Sequence, residues 1–257
     1  MAKWTAFPHL GDFQFDAGSV KKQWARLHAG DAEPLPEDPG VLEAWTLFHN
    51  GEFQKAAEAG IKAGGAGITA ANKATAVYAN YLEKKEKTRL DLFLEVAQRA
   101  EVQASAEAKN PNAWYWQAYA LGRYSQGISV AKALAQGLGG KVKESLEKTI
   151  KLQPRHADAH IALGAFHAEV IDKVGSLIGG MTYGAKKEVG LKLFQQALKI
   201  NPSSAIGMIE YANGLVMLEG DRKMQEATKL YEQAATGKPM DATERLDAEL
   251  AKVELQE

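Results

Sequence analysis

His156, His160 and His167 are the residues whose type and spacing most invite chemistry: the first two stand at i and i+4, the last two at i and i+7. On one helical face such spacing suits a zinc-like ion. No cysteine and no His-Glu-x-x-His segment completes a ligand set, and His160 and His167 fall where large packing residues recur. These imidazoles are therefore expected to pack or cap, and no metal is assigned. The segment QGLGGKV at 136–142 brings Gly140 and Lys141 together as a phosphate loop would. It lacks the first glycine, where Ala135 stands, and Val142 replaces the magnesium-binding Ser or Thr. A glycine hinge closing a long hairpin is expected instead. GGMTYG at 179–184 likewise follows no strand and is expected as a mobile tip.

The carboxylate pairs Asp31/Glu33 and Glu37/Asp38 lie in loop sequence, and no local motif signals a Ser, His and Asp set. No catalytic residue and no cofactor are assigned, and a non-enzymatic protein is expected. The sequence has no cysteine, which removes disulfides, thiolate metal sites and Cys-nucleophile chemistry together. With 31 basic against 32 acidic residues, its net charge is -1. That balance gives no global field to concentrate nucleic acid or an anionic membrane. No run approaches the roughly 18 apolar residues of a membrane span. The opening MAKWTAFPHLGDFQFD has no apolar run of the secretory kind. No membrane insertion and a cytoplasmic address are expected.

The elements that would position these groups are helical. At 46% hydrophobic and 25% charged, the 257 residues suit a folded globular chain. Residues 1–40 form a leader with one short helix, capped by Asp16 and burying Val20, Trp24 and Leu27, before the turn-rich DAEPLPEDPG. From Val41 on, no period-two alternation calls for a strand. Repeats emerge when EAW (43–45), YAN (78–80), LGR (121–123), LGA (163–165) and YAN (211–213) are overlaid: the central residues Ala44, Ala79, Gly122, Gly164 and Ala212 are all small. In second helices the order is a small or short residue, a large one four later, and another small or short one three later. The sets are Val142, Leu146, Thr149; Gly190, Phe194, Ala197; and Ala227, Tyr231, Ala234. Helices approach to about 8–10 Å only where small side chains sit at the crossing. Pro111, Pro154 and Pro202 then end the helices.

Small residue, aromatic, small residue and Asn-Pro together resemble the tetratricopeptide repeat, over about residues 41–236. The resemblance is weakest near residue 72, where Arg99 stands at an expected small position. The centres lie 35, 43, 42 and 48 residues apart, against a usual period of about 34. In the third and fourth units the excess reads as a prolonged first helix closed by a glycine loop. NPNAWYWQAYALGRYSQG at 110–127 most resembles the regulators of microtubule dynamics and their bacterial relatives, and more weakly the lipoproteins associated with TRAP-type transporters. The resemblance implies an all-α, right-handed solenoid of antiparallel helix pairs. Five pairs would fill 41–236, and a C-terminal capping helix, opened by Asp241 and Glu244, would fill 237–257.

It also implies a site. First helices of this family line a concave groove, which places Asn80, Arg123 and Asn213 toward it, with Tyr119, Ile161 and Ile209 one turn earlier and Trp116 before them. Carboxamides there would bond a peptide backbone while Trp116 and Tyr119 bury an apolar side chain. The expected partner is a protein segment, and the leader's DFQFD at 12–16 is a rival occupant. A small ligand held between the prolonged hairpins near 126–142 and 168–189 is the alternative.

Overall fold

The computed structural model describes residues 3–256, and every regular element among them is helical. In chain order these are α1 (Ala17–Leu27), α2 (Pro39–His49), α3 (Phe53–Ala63), α4 (Gly67–Tyr81), α5 (Glu86–Ala106), α6 (Pro111–Gln126), α7 (Val130–Ala135) and α8 (Leu138–Leu152). They continue as α9 (Ala157–Val174), α10 (Ser176–Tyr183), α11 (Lys187–Ile200), α12 (Ala205–Glu219), α13 (Met224–Thr236) and α14 (Ala242–Glu254). Packing divides the chain into two compact units. One comprises Met1–His28, Glu33–Leu152 and Met240–Thr243, the other Ala29–Ala32, Gln153–Pro239 and Glu244–Glu257.

In the first unit α1 starts as its sequence requires. The Asp16 carboxylate accepts the Ser19 amide at 2.7 Å, and the Ser19 hydroxyl accepts the Asp16 amide at 2.9 Å. The bond from the Ser19 amide holds the Asp16 carboxyl below its ordinary pKa. Val20 and Trp24 are buried as expected. Successive helices then pack on one another: α2 on α3, α3 on α4, α4 on α5, α5 on α6, and α6 on α8. The α3–α4 approach demands glycine, because a Cβ on Gly60 would collide with the Gly67 carbonyl oxygen.

Between α4 and α5 a different device replaces the expected small residue. Arg99 donates from Nε to Asn72 Oδ1 at 3.0 Å and from Nη2 to Thr75 Oγ1 at 2.8 Å. Beside it Gln103 Nε2 donates to Thr69 Oγ1 at 3.1 Å. Burial pulls the Arg99 guanidinium below its ordinary pKa, with Glu95 opposing. In place of the expected small residue at position 99, a long stem lies across α4 and satisfies the Thr75 hydroxyl and the Asn72 carboxamide oxygen.

In the second unit α9 packs on α11 and α12, α11 on α12, and α12 on α13. Its centre is Phe194, fully buried with Ile161, Ala197, Tyr211 and Leu215. Leu250 and Ala251 of α14 close over Ala205, Ile209, Ala234 and Ala235, so the apolar end of α12 and α13 is covered.

Four expectations are revised. The extra chain in the third and fourth units is only in part a prolonged first helix: α6 stops at Gln126 and α7 is separate, while α9 does run on to Val174, where Gly175, at φ +80°, divides it from α10. In QGLGGKV, Gly137, at φ +63°, makes the turn between α7 and α8 while Gly139 and Gly140 lie in the first turn of α8, and GGMTYG lies within α10 and ends at left-handed Gly184, φ +65°. Pro111 does not end a helix. It is the first residue of α6, where a missing amide hydrogen costs nothing, and Asn110 caps it. Gly122, finally, is not at a crossing, because a Cβ there would meet nothing within 4 Å. Where α8 meets α6, Ser145 bonds Gln117 and Thr149 bonds the Pro111 carbonyl, five and more residues earlier along α6.

Candidate functional site

The seven groove candidates separate by exposure. On α4, Asn80 is half-buried. On α6, Tyr119 and Arg123 are half-buried while Trp116 is only 4% exposed. Asn110 and Pro111 fix the start of α6, so Tyr119 and Arg123 stack one turn apart with the guanidinium carbon 5.4 Å from the ring centroid. Arg123 also reaches Gln126 Oε1 at 3.3 Å. Beneath them Tyr119 leans on Trp116, with centroids 5.3 Å apart, and on Phe93 at 6.5 Å.

In the second unit Asn213 is half-buried and accepts a 2.6 Å bond from the Tyr231 hydroxyl, whose pKa burial raises. Ile161 and Ile209 are 5% and 3% exposed and belong to the clusters around Phe194 and around Ala205. Trp116, Ile161 and Ile209 are thus core residues, which corrects their placement in a groove. Ile161 and Ile209, one turn before Ala165 and Asn213, are rotated by about 40° toward the neighbouring helix, and an apolar side chain there gains roughly 25 cal/mol per Å2 by packing. The surface that remains is Asn80, Tyr119 and Arg123 in the first unit and Asn213 in the second.

The histidines have other tasks. His156 caps α9, its Nδ1 accepting the Ala159 amide at 3.1 Å. His160 Nδ1 donates to the His156 carbonyl at 2.9 Å, and His167 Nδ1 accepts the Lys186 amide at 3.2 Å. Two further histidines carried no signal in the sequence, because they are 21 residues apart and their carboxylate comes 192 residues later. His49 Nδ1 bonds Asp241 Oδ2 at 2.7 Å and its Nε2 faces His28 Nε2 at 3.3 Å. That separation is a direct nitrogen-to-nitrogen hydrogen bond. Trp24, Trp45, Phe48 and Phe15 surround it. The relay joins the residue after α1, the end of α2 and the residue before α14 inside the first unit.

The leader, a rival occupant of the groove through DFQFD at 12–16 by its sequence, is held through Phe15 by Asn50, the residue after α2. Residues 3–16 form no helix or strand and lie along α2, α3 and α4. Trp4 stacks on Tyr78, with centroids 4.2 Å apart and planes 10° from parallel, and its amide donates to Gln54 Oε1 at 2.9 Å. Phe7 is 2% exposed, edge-on to Phe53. Asn50 grips Phe15 at two points, Oδ1 accepting the amide at 2.7 Å and Nδ2 donating to the carbonyl at 3.0 Å. Burial raises the pKa of the Tyr78 phenol, whose hydroxyl accepts the Thr5 amide and donates to Glu83. The only signals in the sequence were the aromatics themselves and Asn50-Gly51 after α2.

This geometry can be set beside that of solved structures. The chain is similar to the crystal structure of TTC0263, a thermophilic TPR protein of Thermus thermophilus, with a TM-score of 0.58 over 83% of this chain and 97% of that one. The fold is that of a tetratricopeptide-repeat protein. At 14% sequence identity the likeness carries the fold alone. No family model and no curated protein matches the sequence. Among the described residues no helix of this tetratricopeptide fold is long and apolar enough to cross a membrane.

Proposed function

We propose that this chain is a non-enzymatic scaffold that binds an extended segment of a protein partner through its first helices. The observation that carries this reading is the Tyr119–Arg123 pair on α6, a half-buried ring with a guanidinium 5.4 Å from its centroid. Such a pair offers an apolar plate and a planar five-hydrogen donor side by side, the combination that dominates protein interfaces. Asn80 on α4, in the same unit, adds a carboxamide able to bond a peptide backbone. The fold supports the same reading, since stacked helix pairs make binding surfaces and supply no reaction chemistry of their own. The segment at 110–127 resembles the regulators of microtubule dynamics, and we propose that branch and a cytoplasmic address with it.

The test is affinity capture from the cell that makes the protein, comparing the native chain with Tyr119→Ala/Arg123→Ala and quantifying each recovered protein. Removing two such anchors should lower recovery of the specific partner at least tenfold, about 1.4 kcal/mol or more. Equal recovery by the two chains would remove α6 as the binding surface.

A further inference from the structure

The leader is held in the manner of a bound peptide. Between Lys3 and Asp16 its backbone bonds to itself at a local turn, from the Asp12 amide to the His9 carbonyl. Its anchors to the helices are side chains that read the leader's backbone: Gln54 for Trp4, the Tyr78 hydroxyl for Thr5, and Asn50 for both polar groups of Phe15. A carboxamide that meets an N–H and a C=O together reads extended backbone whatever the side chain, the logic of peptide recognition by strand-like pairing. Side-chain selectivity comes from two places. The Tyr78 ring is a flat platform for Trp4. Gly51 and Phe53 form a slot for Phe7, in which a Cβ on Gly51 would collide with the Phe7 ring. Gly51 has φ +83°, so the turn after α2 and the depth of the slot both require glycine.

We infer that Asn50, Gln54, Tyr78 and the Gly51–Phe53 slot form a second peptide-binding track, which takes an extended segment bearing an aromatic residue, two spacers and a phenylalanine, and which the chain's own Trp4-Thr5-Ala6-Phe7 occupies as a displaceable stand-in. The inference deepens the peptide-binding reading and rests on it, at a surface that shares no residue with Tyr119 or Arg123. Displacement is physically accessible because the leader is anchored near its two ends. Pro8, Leu10, Gly11, Asp12 and Gln14 between the anchors are exposed, and a segment without helix or strand bonds belongs to the low-stability end of local opening. A cavity of about 330 Å3 flanks the track, lined by Trp4, Phe7, Leu10, Phe53, Gln54 and Glu58. It leaves room for a ligand whose side chains exceed those of the leader.

The probe is a fluorescein-labelled peptide of residues 3–15, titrated by anisotropy into the full chain and into full-length Trp4→Ala/Phe7→Ala, whose track is vacated. The vacated chain should bind at least tenfold more tightly than the native one. Adding Asn50→Ala and Gln54→Ala should abolish that gain, and a peptide with both aromatics replaced by Ala should not bind. Equal affinity for native and vacated chains, or binding to neither, overturns the inference. Since the double variant could lose its fold, native-state hydrogen exchange on the unaltered chain supplies an independent measurement. The Trp4 and Phe15 amides should exchange at least tenfold faster than the core amides of Trp45 and Thr75, and equal protection would make the leader a fixed part of the core. Loss of partner capture on Tyr119→Ala/Arg123→Ala together with failure of peptide exchange would sink the track and leave the scaffold reading standing.

Discussion

Phe194 shows what single residues decide here. Its ring is fully buried, stacked on Tyr211 with centroids 5.5 Å apart, and it occupies space that two glycines leave open. A Cβ on Gly164 would lie 3.1 Å from three ring atoms, and one on Gly214 would lie 2.5 Å from Cε2. Gly164→Leu should therefore destabilise the protein by about 1–3 kcal/mol or more through overpacking, read as a lower urea midpoint. Gly122 stands in the same repeat column, yet a Cβ there meets nothing. Gly122→Ala should stabilise the protein by about 0.5–1 kcal/mol, read as a higher urea midpoint, since alanine narrows the unfolded ensemble and favours helix. A fall in the midpoint would put Gly122 back at a helix contact. The small-residue column was legible in the sequence at Ala44, Ala79, Gly164 and Ala212. It failed at Gly122 because α7 intervenes and α8 meets α6 nearer Pro111. The site was legible in part for a related reason: helical register places Asn80, Arg123 and Asn213 on a face, but burial of Trp116, Ile161 and Ile209 depends on neighbours that register does not reveal.

Among the elements, α4 and α5 are joined by an arginine that lies across their crossing. Arg99 bonds Asn72 and Thr75 across the pair, while its partner on its own helix, Glu95, is 48% exposed in its side chain. The two halves of this arrangement have unequal worth. Asn72 is fully buried and its Nδ2 already lacks a partner, so Arg99→Ala would strand Oδ1 as well and should cost about 1–3 kcal/mol. Glu95→Ala breaks only a solvent-screened pair and should cost about 0–1 kcal/mol. Equal midpoints for the two variants would mean that the interhelical bonds contribute nothing. Sequence periodicity made these helices visible, because amphipathic stripes repeat every 3.6 residues. It could not show what the arginine does in the stripe, nor that α7 and α10 are separate short helices, because a break of one to three residues hardly disturbs the period. The leader was least visible of all: extended chain held by side chains of α2, α3 and α4 has no period to detect.

At the scale of the whole molecule, composition bears on the kind of partner. With 31 basic and 32 acidic side chains, no net charge draws in a polyanion, and the proposed recognition rests on short-range contacts of Tyr119, Arg123 and Asn80. The two mechanisms separate cleanly in salt. A complex built on six to ten phosphate contacts weakens by roughly 10³–10⁵ between 50 and 200 mM salt, because binding depends on counterion release. A peptide gripped by one guanidinium, carboxamides and an aromatic plate releases about one counterion at most, and its apolar contacts are indifferent to screening at these concentrations. Partner recovery in the affinity capture should therefore change less than about threefold over that range, and nuclease treatment should leave it unaltered. A collapse of recovery by 200 mM salt, or its loss with nuclease, would show that a nucleic acid bridges the interaction, and the scaffold would then be carrying a ribonucleoprotein or DNA complex instead of a peptide.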